Sequence, residues 1–160
     1  METAEHDQVI VVGYDGSEAS RAAVMVAARH AGRRGRVVVV HGYEVPTDRL
    51  GTPVTDRLLV ERRERGRAIL DALPLTGNEE LLDTDYDTEL VGAPPAQAIA
   101  DVARNVDADE IVVGAHGLGR LRALLGSVSH ELLEIADRPV LVIPASAVYA
   151  VLRGNAHAGL

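Results

Sequence analysis

At 160 residues and 47% hydrophobic content, the chain suits one folded domain and leaves no room for two ordinary ones. Its formal net charge of −8 opposes a phosphate backbone, which argues against nucleic acid as a partner. Cysteine is absent, which excludes disulfides, thiolate metal sites and a cysteine nucleophile, and all 16 basic residues are Arg, so no lysine is available for a P-loop.

Aromatic residues make up 2%, all of them tyrosine, so the core must be built from Val, Leu, Ile and Ala. The opening Met1 to Asp7 is polar and acidic, without the basic and apolar regions of a secretion signal. No apolar run approaches the roughly 18–20 residues that span a bilayer. These features predict a cytoplasmic protein with no membrane partner.

Val9 to Val12 is a short apolar run ending at Gly13, the pattern of a strand buried on both faces. Asp15-Gly16-Ser17 follows as a turn and helix N-cap. From Glu18 to Ala31 the apolar residues Ala23, Val24, Ala27, Ala28 and Ala31 recur at helical spacing, and Gly32 and Gly35 end the helix. Arg36 to His41 reads as a second buried strand, followed by a loop running to Pro53. A helix is predicted from Val54 to Ala72, with Leu58, Leu59, Ile69 and Ala72 on one face. Between Leu82 and Leu90, apolar residues alternate with acidic and hydroxyl ones, a weak strand suited to a sheet edge.

Pro94 and Pro95 open another helix, whose Ile99, Val102, Ala103 and Val106 face the core. Glu110 to Gly114 is the fourth strand. A glycine-rich loop leads to a helix from Ser127 to Asp137, and Pro139 to Ile143 is the fifth strand. Residues 145–160 form a C-terminal tail beyond a domain of residues 1–144. Strands alternating with helices imply an α/β fold with a parallel sheet covered on both faces. Ligands in such sheets bind beyond the carboxyl ends of the strands, where the strand order reverses. Strands one and four are the expected flanks of that crevice.

The chemistry follows those two strands. Gly114-Ala-His-Gly117 begins the loop, and Gly126-Ser127-Val128-Ser129 stands at the next helix start. Glycines allow close backbone approach, and free N–H groups at a helix start favour an anion. The hydroxyls of Ser127 and Ser129 are further donors, and the set suits a polyphosphate. The same glycines also suit a tight turn, and Ser127 a plain cap. Asp15 is placed to accept from ribose hydroxyls, or to serve as a turn aspartate. His41 and His116 lack partners at metal-ligand spacing and are assigned structural or solvent roles. Arg120 and Arg122 fit either phosphate neutralisation or solvated loop positions.

The combination resembles the universal stress protein family across nearly the whole chain. Val9 to Ser17 is similar to the family's opening strand and Asp-x-Ser turn, and Asp109 to Gly117 to its fourth strand and glycine turn. Gly126 to Ser129 and Arg138 to Ile143 are similar to its phosphate-binding helix start and last strand. The resemblance implies a three-layer, doubly wound, Rossmann-like five-stranded parallel sheet of order 3-2-1-4-5, like the adenine nucleotide alpha hydrolases. It implies that Asp15 and Gly114 serve the ribose of ATP. Gly117, Gly126, Ser127 and the Val128 backbone would hold phosphates, while Gly13 and the backbone of Gly42 border the adenine. Phosphate chemistry, rather than the resemblance, adds Mg2+ as their companion. Tyr14 stands where the family usually has proline or threonine, and its ring would narrow the pocket.

The family's Gly-x2-Gly-x9-Gly-[Ser/Thr] pattern is one residue shorter here, with eight residues between Gly117 and Gly126. The resemblance further implies a homodimer paired through the fifth strands. It implies a regulatory role in stress response with little or no turnover of ATP. A nucleotide-free dimeric stress factor and a slow ATP-hydrolysing enzyme are the alternatives.

Overall fold

The structure is a computed structural model that describes residues 7–46, 56–73, 83–115 and 125–153. In chain order the elements are β1 (Val9–Gly13), α1 (Glu18–Ala31), β2 (Arg36–Gly42), α2 (Asp56–Asp71) and β3 (Asp85–Val91). There follow α3 (Pro95–Asn105), β4 (Glu110–Gly114), α4 (Ser127–Ile135), β5 (Val140–Ile143) and α5 (Ala145–Arg153). The five strands form one parallel sheet in the order β3-β2-β1-β4-β5. The expected α/β architecture and the order 3-2-1-4-5 are both observed.

Alternation along the strands divides the core in two. Ile10, Val12, Val37, Val39 and Val112 face α1, the end of α2, and α5. Val11, Val38, Val40, Ile111 and Val113 face α3 and Leu132 of α4. Every one of these side chains is at least 97% buried. A strand covered on both faces has no position for a polar residue, which is why β1 and β2 read as continuous apolar runs. β3 lies at the sheet edge as expected, with Asp85, Asp87 and Glu89 exposed. Asp87 pairs there with Arg36 of β2, whose Nε donates over 2.8 Å.

Helix α1 shows why the sequence signals were sufficient. Ser17 caps it, its hydroxyl accepting from the Ser20 N–H at 3.2 Å. Gly32 ends it at φ 63°, a conformation glycine adopts without a Cβ penalty.

Helix α2 corrects the expected face. Leu58 and Ala72 are exposed, while Leu70 and Leu73 are buried and Leu59 and Ile69 half-buried. The buried stripe runs through Leu59, Gly66, Ile69, Leu70 and Leu73, and at 100° per residue Leu58 and Ala72 fall on its flanks. Gly66 is the contact point with the sheet. A Cβ there would stand 2.7 Å from Leu90 Cδ1 and 2.9 Å from His41 Cδ2. The expected helix start at Val54 and strand start at Leu82 lie outside the described residues.

Sequence reading left residues 145–153 unplaced. They form α5, whose Val148 is buried in the α1 side of the core, with Ala147, Val151 and Leu152 packed beside it. No helix among the described residues is long and apolar enough to cross a membrane.

Candidate functional site

Strand β1 is flanked by β2 on one side and β4 on the other. The chain winds outward through α1 and α2 on one face and returns through α3 and α4 on the opposite face. The β1–β4 boundary is therefore the topological switch point, and a cleft opens at its carboxyl end. Gly13, Tyr14 and Asp15 form its floor after β1, with Val40, His41 and Gly42 on one side and Val113 and Gly114 on the other. Pro95 and Ile99 of α3 and Val128 of α4 close it, and Ser17 and Ser20 form its rim on α1.

The walls are mostly apolar and enclose about 140 Å3. Whole small-molecule sites run to roughly 300–1,000 Å3. The described walls therefore match one planar ring better than a complete nucleotide.

Three glycines shape this cleft, and each is dictated by helix packing. A Cβ on Gly114 would lie 2.6 Å from both the carbonyl carbon and oxygen of Ala19 in α1. On Gly42 it would lie 2.7 Å from Pro95 Cα, and on Gly13 2.6 Å from Ile99 Cδ1. Bare backbone at these strand ends lets α1 and α3 start close to the sheet. Positive φ plays no part at any of the three; among the described residues beside the cleft, Gly16 alone uses it, at 82°.

Asp15 occupies the turn that Gly16 makes possible. Its Oδ1 accepts from the Ser17 N–H at 2.9 Å, and its own N–H donates to Ser20 Oγ at 3.3 Å. Tyr14 is 4% exposed, its side chain in the α1 side of the core. Its N–H donates to the Val40 carbonyl at 2.9 Å.

At α4, Gly126 is the N-cap residue and provides no side chain to cap the helix. The first-turn N–H groups of a helix have no intrahelical acceptor, and with the helix dipole they attract an anion. Ser129 is 1% exposed, and its hydroxyl donates to the Gly126 carbonyl at 3.0 Å. It braces this turn from beneath.

Gly13, Tyr14, Asp15, Gly42, Gly114 and Val128 thus line one cleft. Gly126, Ser127 and Ser129 stand beside it in the first turn of α4 without lining it. Gly117, His116, Arg120 and Arg122 lie outside the described residues. Sequence reasoning missed the apolar walls, Val40, Ile99 and Val113, because they look like any core residue. It also assigned His41 no place at the site, although the residue stands one position before Gly42, the last residue of β2, and lines the cleft.

Among the described residues, the acid–base groups with a shifted pKa lie elsewhere. Arg138, just before β5, donates to Asp137 at 2.9 Å and lies 3.4 Å from Asp107. That hydrogen bond holds the Asp137 carboxyl below the usual carboxylate range and raises the Arg138 guanidinium. This cluster lies at the amino end of the sheet, opposite the cleft, and is structural.

Residues 8–144 match the model of the universal stress protein family. The chain belongs to that family. A universal stress protein of Thermus aquaticus is 37% identical over 139 residues, spanning 85% of this chain and 98% of its own. Among solved structures, a universal stress protein in complex with cAMP is 30% identical, with a TM-score of 0.62, and covers 85% of this chain and 96% of its own. The universal stress protein of Archaeoglobus fulgidus in complex with dAMP is 27% identical, with a TM-score of 0.56, and covers 85% and 97%. In this universal stress protein the family match ends at residue 144, one residue before α5 begins.

Proposed function

We propose that this universal stress protein binds ATP at the β1–β4 switch point as a regulatory ligand in a stress response, with little or no turnover. The adenine lies in the apolar cleft between the Gly13–Tyr14 backbone and Gly42. Asp15 and the Gly114 backbone take the ribose. The phosphates run toward the first turn of α4, to Gly126, Ser127 and the Val128 N–H, with Gly117 from the loop before them. Ser129 supports that turn.

One observation carries the reading: the side-chain-uncapped start of α4 borders a ring-sized apolar cleft, with Val128 belonging to both. Adenine nucleotides held by two relatives support it. Among the described residues no cluster of three or more acidic or histidine side chains could hold a metal. Mg2+ would accordingly travel with the phosphates and its own waters.

Isothermal titration of ATP, AMP, cAMP and adenosine tests this. ATP should bind most tightly and adenosine most weakly, because each phosphate adds contacts at α4. No heat and no thermal shift at millimolar ATP would reject the reading, and finding no nucleotide extractable from the purified protein would favour a nucleotide-free stress factor. Steady phosphate release well above about 1 per second, a low enzyme rate, would favour an enzyme instead.

We also propose a cytoplasmic homodimer paired through β5, the sheet edge whose Val140, Leu141 and Val142 are only half-buried. Sedimentation velocity measures it directly; a monomer at micromolar concentration would refute it.

A further inference from the structure

Tyr14 is the first residue beyond β1, where the strand ladder ends and the chain turns toward α1. Both of its backbone polar groups are nevertheless held by β2. Its N–H donates to the Val40 carbonyl at 2.9 Å. Its carbonyl lies 2.7 Å from Nδ1 of His41. A carbonyl only accepts, so Nδ1 must carry a proton and donate it. The next residue, Asp15, is tied to α1 through Ser20 and Ser17. The turn that presents Asp15 to the cleft is thus clamped from two sides, and His41 is the side-chain member of the β2 clamp.

The ring occupies space that α2 leaves open. Helix α2 approaches it at Gly66, where a Cβ would lie 2.9 Å from Cδ2 and 3.4 Å from Nε2. Any larger residue at position 66 would press on the imidazole. Glycine at position 66 thus leaves room for the ring at its Cδ2–Nε2 edge, while Nδ1 meets the Tyr14 carbonyl.

We propose that His41 is a positioning residue for the nucleotide site: by donating from Nδ1 to the Tyr14 carbonyl it fixes the turn that carries Asp15. The inference rests on the nucleotide reading for its consequence, and its first readout does not depend on that reading. The test uses amide hydrogen exchange at Asp15 and Ser17 in the nucleotide-free protein, ATP affinity by titration, and the His41 tautomer by 15N NMR. His41→Leu fills the space without a donor. His41→Asn keeps an N–H donor close to the Nδ1 position.

His41→Leu should speed exchange at Asp15 and Ser17, and weaken ATP, each by about tenfold, the scale of one lost hydrogen bond. His41→Asn should recover most of both, while melting temperatures track neither. Unchanged exchange at Asp15 and Ser17 in His41→Leu overturns the proposal, as does faster exchange with undiminished ATP affinity. An Nδ1 without its proton in the wild-type NMR spectrum overturns it with no variant required. If wild-type protein binds no ATP while His41→Leu still loosens the turn, the nucleotide reading fails and the positioning of the turn stands.

Discussion

Gly13 and Gly114 occupy equivalent ends of neighbouring strands, yet they meet different obstacles. A Cβ on Gly114 would strike the Ala19 backbone, which moves only if α1 moves. A Cβ on Gly13 would strike the terminal methyl of Ile99, which can rotate aside. Gly114→Ala should therefore destabilise by about 1–3 kcal/mol, the range for overpacking a core, and Gly13→Ala by less. Urea unfolding of the two variants checks the ranking, and equal losses would contradict it. Arg138 offers a second residue-level case. Because its partner Asp137 has a depressed pKa in the fold, the pair stabilises above the ordinary carboxylate pKa. That contribution fades as pH falls through the depressed value. Arg138→Leu should thus lower the melting temperature at pH 7, and the gap to wild type should narrow by pH 3. The raised Arg138 pKa has no effect in this window, since both states are protonated.

At the scale of elements, the proposed phosphate contacts turn on the start of α4. A carboxylate in the first turn of a helix interacts favourably with its dipole, by about 0.3–1 kcal/mol. The same carboxylate would repel phosphate. Ser127→Asp should therefore raise the melting temperature slightly while weakening ATP by more than about tenfold, with adenosine little changed. These opposite signs separate a phosphate site from a plain helix start, where the added carboxylate would raise stability and leave ATP alone. β3 illustrates a different element-level constraint. Its acidic outer residues leave a strand that pairs through its neighbour β2 and discourages further pairing at the sheet edge.

For the whole molecule, α5 carries the packed core past residue 144. Val148 is buried against α1, and three further apolar residues pack around it. We propose that this helix belongs to the domain rather than forming a loose tail. Ending the chain at Pro144 should leave a folded protein that has lost roughly 2–4 kcal/mol, the scale of one buried and several half-buried side chains. Guanidinium unfolding of the shortened chain measures this, and unchanged stability would favour a separate tail.

Much of this protein was legible from local pattern. The apolar runs of β1, β2, β4 and β5, the Ser17 and Pro95 helix starts and the Gly32 stop are local signals, because hydrogen bonding and steric preference act over a few residues. Gly13, Gly42 and Gly114 could likewise be recognised as strand-end glycines. Other features depended on contacts between distant parts of the chain. The true face of α2 was set by Leu90 and His41 meeting Gly66. The apolar walls Val40, Ile99 and Val113 became a cleft only when three elements converged. Residues 145–153 gained a place only because α1 offered them an apolar surface. His41 became part of the site because the fold carried Tyr14 to within hydrogen-bonding distance, 27 positions away in the chain. Periodicity encodes which side of an element is apolar; it carries no information about which distant residue will come to lie against it.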